Sequence, residues 1–355
     1  VTSPPTVTES ANVAALRGLR VVVVAPLDPS FQTGVLATSL QLEGARVVRV
    51  ATDPVVHSPL ANVSYVRQRL RVAKLRATLG AVLAGGADVV HVEVGGGAES
   101  GVVAAAAIET SRAAGIRTVA RCFDSASTGS GEALAAASVV VVPSRQLRDD
   151  LRTRLHIASR FVPGIVEDSG LEPPPPRESG RLRLVCARPL EPVHGVGVVL
   201  AAAAAALAGG VDLELVVTGD GSERQVLERI AARMAPGRVR FTGALRREAL
   251  MDVLRASDVL VDAGRSDEFP GAVADALSIG VPVATTAEPG AASLVEHGWT
   301  GLVTSAGDST ALARSIAALD ADRVALITCG WRAKMGALRW TWDALAATWA
   351  SVYAA

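Results

Sequence analysis

Short runs of β-branched and other apolar residues alternate along the chain with longer Ala-rich segments punctuated by polar residues. The runs at 20–25, 47–50, 89–94, 118–120 and 139–142 are predicted strands, with helices between them. The second half repeats the plan, with predicted strands at 182–187, 213–218, 239–242, 259–262 and 282–285. Such alternation predicts βαβ units and parallel sheets, because consecutive parallel strands need a crossover helix. Both halves therefore read as doubly wound. Between them the run Pro173-Pro174-Pro175-Pro176, flanked by polar residues, reads as a stiff spacer. The expected division is a loose tail at 1–18, a first domain at 19–168, a linker at 169–180, a second domain at 181–337 and a closing helix at 338–355 that carries Trp340, Trp342 and Trp349. Open sheets of this kind bind ligands at the carboxyl ends of their strands, so one interdomain cleft is the expected site.

Composition narrows the function classes. At 355 residues the chain is long enough for two cores. Thirty-five basic residues balance 35 acidic ones and aromatics make up 3%, which leaves no broad basic footprint or stacking platform for nucleic acid. Cys122, Cys186 and Cys329 are odd in number and far apart; they fit a reducing compartment, offer no metal spacing, and read as small buried residues. Residues 1–11 are rich in Ser, Thr and Pro without a basic start or an apolar core, so a loose tail and a cytoplasmic location are expected. The apolar tract at 198–208 is too short for a bilayer span. The basic run Arg67, Arg69, Arg71, Lys74 and Arg76 has two readings, a peripheral contact with anionic lipid and a plain solvated helix face.

The most informative stretch is 267–283, which sets Asp267 and Asp275 eight positions apart across a predicted loop-to-helix junction. Pro270 and Gly271 belong to the loop, the apolar run after them reads as a buried helix, and Gly280 stops it. The first N–H groups of a helix lack internal partners and attract anions, so a diphosphate suits this junction. Carboxylates on either side would accept hydrogen bonds from ribose and hexose hydroxyls. The plainer alternative is a turn residue at 267 and a solvated helix position at 275. Upstream lie Val216-Val217-Thr218-Gly219-Asp220-Gly221, Val239-Arg240-Phe241-Thr242-Gly243 and Ala256-Ser257-Asp258-Val259-Leu260-Val261, and the chain closes on Arg339-Trp340-Thr341-Trp342.

In this order the motifs resemble the retaining family-4 glycosyltransferases of the GT-B fold. The resemblance is close over about residues 181–345 and loose over the first half, where 87–92 and 140–144 carry it. It implies an α/β chain with two Rossmann-like, doubly wound domains facing an interdomain cleft. The first domain would bind the acceptor and the second the donor, with the closing helix packing back on the first. No metal or other cofactor is implied, and the donor is a nucleoside diphosphate sugar.

The resemblance also assigns residues. Arg188 matches the Arg that clamps the donor diphosphate, while the Lys that follows it in the family is His194 here, just before Gly195. A His carries no permanent charge at pH 7. The chain holds only Lys74 and Lys334, so Arg265 is the replacement cation considered for the phosphate, against a solvent-exposed loop Arg. Asp267 or Glu268 would hold the sugar hydroxyls, Asp275 the ribose, and Phe269, Pro270, Gly271 and Ala272 would supply loop backbone. Gly219 and Gly221 would border the base; Thr33 and Gly34 stand where the family has a Gly-rich loop beside the phosphates. His91, at the end of a strand, and Gly96, in a Gly-rich loop, are the acceptor-side candidates, against a structural His and a simple flexible loop. Both Glu of the family's Glu-x7-Glu pattern are Asp, and the acceptor-side His falls near Arg121-Cys122.

The expected activity is retaining, metal-independent transfer of a hexosyl group to a small hydroxylated or glycolipid acceptor. Two rivals stand beside it: a non-catalytic GT-B protein that partners an active transferase, and a sugar-nucleotide epimerase or phosphorylase. Heavy use of Ala, Val and Arg with almost no Lys resembles proteins of GC-rich bacterial genomes.

Overall fold

The computed structural model describes residues 11–26, 31–52, 61–94, 98–123, 131–167, 180–265, 270–287 and 289–354. It divides into two compact units, Val1–Ile165 with Trp342–Ala355, and Val166–Thr341.

The first unit runs α1 (Ala11–Ala14), β1 (Arg20–Pro26), α2 (Phe31–Leu42), β2 (Arg46–Thr52), α3 (Ala61–Ala84), β3 (Val89–Val94), α4 (Ala98–Ala113), β4 (Arg117–Cys122), α5 (Gly131–Ala136), β5 (Val139–Val142), α6 (Arg145–Arg154) and β6 (Arg160–Phe161). Its strands are parallel, in the order β2-β1-β3-β4-β5-β6. The order reverses between β1 and β3, where Val23 pairs with His91. All six positions of β3 are buried, as expected for an inner strand covered on both faces.

The second unit runs β7 (Leu182–Ala187), a 3-10 turn (Pro192–His194), α7 (Val196–Ala208), β8 (Leu213–Thr218), α8 (Arg224–Met234), β9 (Val239–Gly243), α9 (Arg247–Arg255), β10 (Val259–Asp262), α10 (Gly271–Ser278), β11 (Val283–Thr286), α11 (Pro289–Ala292), β12 (Gly301–Thr304), α12 (Ser309–Ala321) and α13 (Arg323–Ala337). Read from β9, its parallel strands lie in the order β9-β8-β7-β10-β11-β12. The reversal falls between β7 and β10, the place where a doubly wound sheet leaves a crevice for ligand beyond its strand ends. Side-chain caps fix two helix starts: Asp308 accepts from the Ala311 N–H of α12 at 2.9 Å and Asp322 from the Ala325 N–H of α13 at 2.8 Å.

The chain ends as α14 (Trp342–Ala354), which belongs to the first unit. Trp349 and Tyr353 pack with Val21, Val23, Val89, Val119 and Val141 on one face of the first sheet. Arg117 donates from Nη1 and Nη2 to the carbonyls of Tyr353 and Val352 at 3.0 and 3.1 Å, a cation at the negative end of the helix dipole. Trp342 Nε1 donates to Glu43 at 2.8 Å.

Candidate functional site

The loops at the strand ends where β7 meets β10 bring together Arg188, His194, Gly195, Gly219, Gly221 and Arg265. Arg188 is the first residue beyond β7 and Asp262 the last residue of β10, its pairing neighbour. The guanidinium grips the carboxylate through both oxygens, Nε to Oδ1 at 2.8 Å and Nη2 to Oδ2 at 2.9 Å. The pair is buried, with Arg188 8% and Asp262 1% exposed. Arg188, expected as the clamp for a ligand diphosphate, is thus bound to a protein carboxylate. Asp262 escaped the sequence reading, although a carboxylate ending the apolar run Val259-Leu260-Val261 was a signal.

The loops after β7, β8 and β10 meet around this pair. Gly195 adopts φ +63°, and a side chain there would start 2.1 Å from the Ala263 carbonyl oxygen. Gly219 adopts φ +120°, and a side chain there would start 2.1 Å from the Arg188 carbonyl oxygen. Both positions need a residue without a side chain, because the backbone is left-handed and another backbone lies against it. At Gly221 a side chain would start 2.5 Å from the Leu190 carbonyl oxygen. These glycines first serve loop-on-loop packing, which sets the backbone around the crevice.

His194 is buried in the turn before α7, and its Nδ1 has no hydrogen-bond partner among the described residues. Burial pushes its pKa below the ordinary 6.5, and the nearby Arg188 cation pushes it further down, so the ring is neutral at pH 7. Burial also raises the Cys186 thiol to about 12, so it carries no thiolate chemistry beside the pair. Arg265 is exposed; its N–H donates to the Val193 carbonyl at 2.8 Å and its Nη2 reaches the Pro192 carbonyl at 3.4 Å.

The loop leaving β10 leads to α10. Pro270 precedes the helix, and among the described residues no side chain caps its start and nothing lies within 4 Å of where a side chain on Gly271 would begin. Ala272 is half-buried. Asp275, one turn in, is 3% exposed, not a solvated helix position. Its Oδ2 accepts from Arg247 Nη1 at 2.7 Å, and Arg247 Nη2 also donates to Glu167 at 3.0 Å. Burial raises the Asp275 carboxyl above its ordinary range, against the lowering effect of Arg247. Asp267, Glu268 and Phe269 lie outside the described residues.

On the first unit, two expectations need correction. Thr33 and Gly34 lie inside α2 and not in a phosphate-binding loop, because the helix has already begun at Phe31. His91 does not end a strand: it occupies the third position of β3 and is 0% exposed. Its Nδ1 lies 2.9 Å from the Tyr353 hydroxyl and its Nε2 3.2 Å from Glu93 Oε1. Its ring sits 5.9 Å from that of Trp349. The alternation of β3 turns His91 and Glu93 to the face that α14 covers, so His91 is not available to an acceptor. Arg121 Nη1 lies 3.7 Å from Glu93 Oε1 in the same cluster. Gly96 lies outside the described residues. In the basic run of α3, Arg76 pairs with Glu109 at 2.7 Å.

Among the described residues no helix is long and apolar enough to cross a membrane, and no group of three or more His, Cys, Asp or Glu side chains is placed to hold a metal ion.

Comparison with known proteins adds the following. The chain is 29% identical over 103 residues to a 2-deoxystreptamine N-acetyl-D-glucosaminyltransferase of Niallia circulans, covering 29% of this chain and 26% of that protein. It is 35% identical over 120 residues to a GDP-mannose-dependent alpha-mannosyltransferase of Mycolicibacterium smegmatis, covering 34% and 31%. The matches thus span under a third of these relatives' own lengths. Among solved structures, a sucrose-phosphate synthase from Thermosynechococcus elongatus superposes with TM-score 0.77 at 18% identity over 95% of this chain and 98% of that one. Anabaena HepE in complex with UDP and glucose superposes with TM-score 0.71 at 18% identity over 95% and 100%. The two parallel six-stranded sheets with alternating helices match GT-B glycosyltransferase structures, and residues 181–322, which hold the crevice, match the family described as "Glycosyl transferases group 1".

Proposed function

We propose that the chain transfers a hexosyl group from a nucleoside diphosphate sugar to a small hydroxylated or glycolipid acceptor, with retention and without a metal. One observation carries the reading. The order-reversal point of the second sheet gathers Arg188, Asp262, Gly195, Gly219 and Arg265 within the segment that matches the transferase family. The loop from this point runs into α10, whose uncapped start suits a diphosphate, and Asp275 inside that helix suits a ribose hydroxyl. The activities of the relatives, one a GDP-mannose-dependent transferase, fit a donor of this class.

In the reaction, the bond from the anomeric carbon to the β-phosphate oxygen breaks and its electron pair leaves with the phosphate. The acceptor oxygen bonds to the same face of that carbon, and its proton passes to the departing phosphate oxygen. The protein's part is positioning and charge stabilisation. Arg265, helped by Arg188, would face the phosphates; Asp275 the ribose; Asp267 or Glu268 the sugar hydroxyls; Gly271 and Ala272 would offer N–H groups.

One observation favours a second reading, a non-catalytic nucleotide-binding protein of this fold: Arg188 is compensated by Asp262 and His194 is neutral, so little free positive charge faces a leaving group.

A thermal-shift panel of nucleoside diphosphates, followed by a donor-turnover assay, tests both. A ligand at a hundred times its Kd raises stability by about 2.7 kcal/mol. Binding with turnover supports the transferase, binding without turnover supports the second reading, and no binding rejects both. Arg265→Ala, on an exposed loop, should weaken nucleoside diphosphate binding by roughly threefold, through the phosphates alone, while leaving Tm unchanged. Unchanged affinity removes Arg265 from the site.

A further inference from the structure

We infer that Asp262 is an internal counter-anion: it competes with a bound diphosphate for Arg188 and so sets how tightly the second unit holds its nucleotide. The inference rests on the reading of the crevice as a nucleotide site. It goes beyond that reading by assigning control of affinity to a carboxylate inside the site.

Arg188 and Asp262 project from the ends of two adjacent strands, so their separation is fixed by the sheet. The contact is bidentate, the geometry in which a guanidinium also takes a phosphate. A phosphate approaching this Arg therefore meets a fork already engaged. The Gly264 N–H lies 3.4 Å from Asp262 Oδ1 and helps hold the carboxylate in place. With Asp262 only 1% exposed, water screens the pair little, and its charges largely cancel toward a ligand. His194, neutral, does not restore the balance. Among the described cations at these strand ends, Arg265 is exposed and Arg188 buried.

The consequence is a site in which the diphosphate adds little to binding and the nucleoside adds most. In the unmodified protein, UDP and GDP should each bind less than tenfold tighter than uridine and guanosine, whichever base the site accepts. Asp262→Asn keeps the shape and an oxygen for Arg188 but removes the negative charge. It should tighten the diphosphate at least tenfold, leave nucleoside affinity unchanged, and steepen the salt dependence of diphosphate binding.

Titration calorimetry of both proteins with all four compounds at two salt concentrations decides the matter. A hundredfold preference for diphosphate over nucleoside in the unmodified protein overturns the inference without need of the variant. So does an Asp262→Asn protein, folded by its thermal transition, whose diphosphate affinity is unchanged or weaker. If no compound binds either protein, the nucleotide reading of the crevice falls, and the inference with it.

Discussion

Each unit buries charged side chains against its sheet, and the two groups differ in what lies over them. In the first unit His91, Glu93 and Arg121 are covered by α14: Tyr353 meets His91, and the Arg121 guanidinium lies 4.7 Å from the Phe123 ring centre and 5.6 Å from that of Trp349. In the second unit Arg188 and Asp262 stand at strand ends, among glycine-built turns and beside the exposed Arg265. Burial alone does not separate them, since His91 and Arg121 are more deeply enclosed than Arg188. Cover does: α14 lies over His91, Glu93 and Arg121, whereas Arg188 and Asp262 stand at strand ends where the order of the second sheet reverses, the place a doubly wound sheet offers to a ligand. The first cluster therefore fastens a helix, and the second is placed for the site proposed above.

The comparison breaks most readily at Trp349. It is 0% exposed on the face of α14 that packs on the first sheet, and truncation to Ala should cost about 3–5 kcal/mol. Hydrogen exchange should show the loss in β1, β3 and α14, with β7–β10 and the affinity for nucleoside diphosphate unaffected. Nucleotide affinity that falls along with the first unit's protection would mean the two clusters are not separate in function. The matching substitution in the second unit is Gly195→Ala. The new side chain would start 2.1 Å from the Ala263 carbonyl oxygen on a left-handed backbone, and such overpacking costs roughly 1–3 kcal/mol. Because the turn carries His194 and abuts the β10 loop, nucleotide binding should weaken as well. A stable Gly195→Ala protein with full affinity would show that the turn does not shape the crevice.

Why one cluster could be found in the sequence and the other misread follows from the same geometry. Valine-rich runs gave strands with their observed bounds at 89–94, 139–142, 182–187, 213–218 and 259–262, because alternation and β-branching act within a few residues. β6 and β12 escaped because Arg160-Phe161 is too short to show a run and β12 opens with a glycine. Arg188, Gly195, Gly219 and Asp275 stood out by their order and by their places beside predicted strands and helices. The partners of the charged ones did not, since Asp262 lies 74 positions from Arg188 and Arg247 lies 28 from Asp275. Such pairings are made by the sheet order and by helix packing, which no local pattern encodes. His91 was misread for a related reason: alternation along β3 fixes the face it shares with Glu93, but the cover comes from a helix 262 positions away. Gly34 suggested a loop by its place in the family resemblance, and here it stands inside α2, which tolerates it.

The smallest effect separates the clusters by pH. His194 holds a folded-state pKa below 6.5, with burial the main cause and Arg188 the next. Between that depressed value and 6.5 the unfolded chain takes up a proton that the folded chain refuses. Stability contributed by the neutral ring is therefore complete above pH 6.5 and is lost as pH falls through the folded pKa, with a slope of at most about 1.4 kcal/mol per pH unit. His194→Gln should remove that component, so the difference in Tm between the two proteins should change from pH 7.5 to pH 5.5 in the direction that favours the variant at low pH. Nucleotide affinity over the same range should not gain from a protonated His194 until the lower pKa is reached. A rise in affinity centred near pH 6.5 that His194→Gln abolishes would show that ring charging at its ordinary value. The crevice would then hold a second usable cation, and Arg188 would not be alone in bearing the compensation by Asp262.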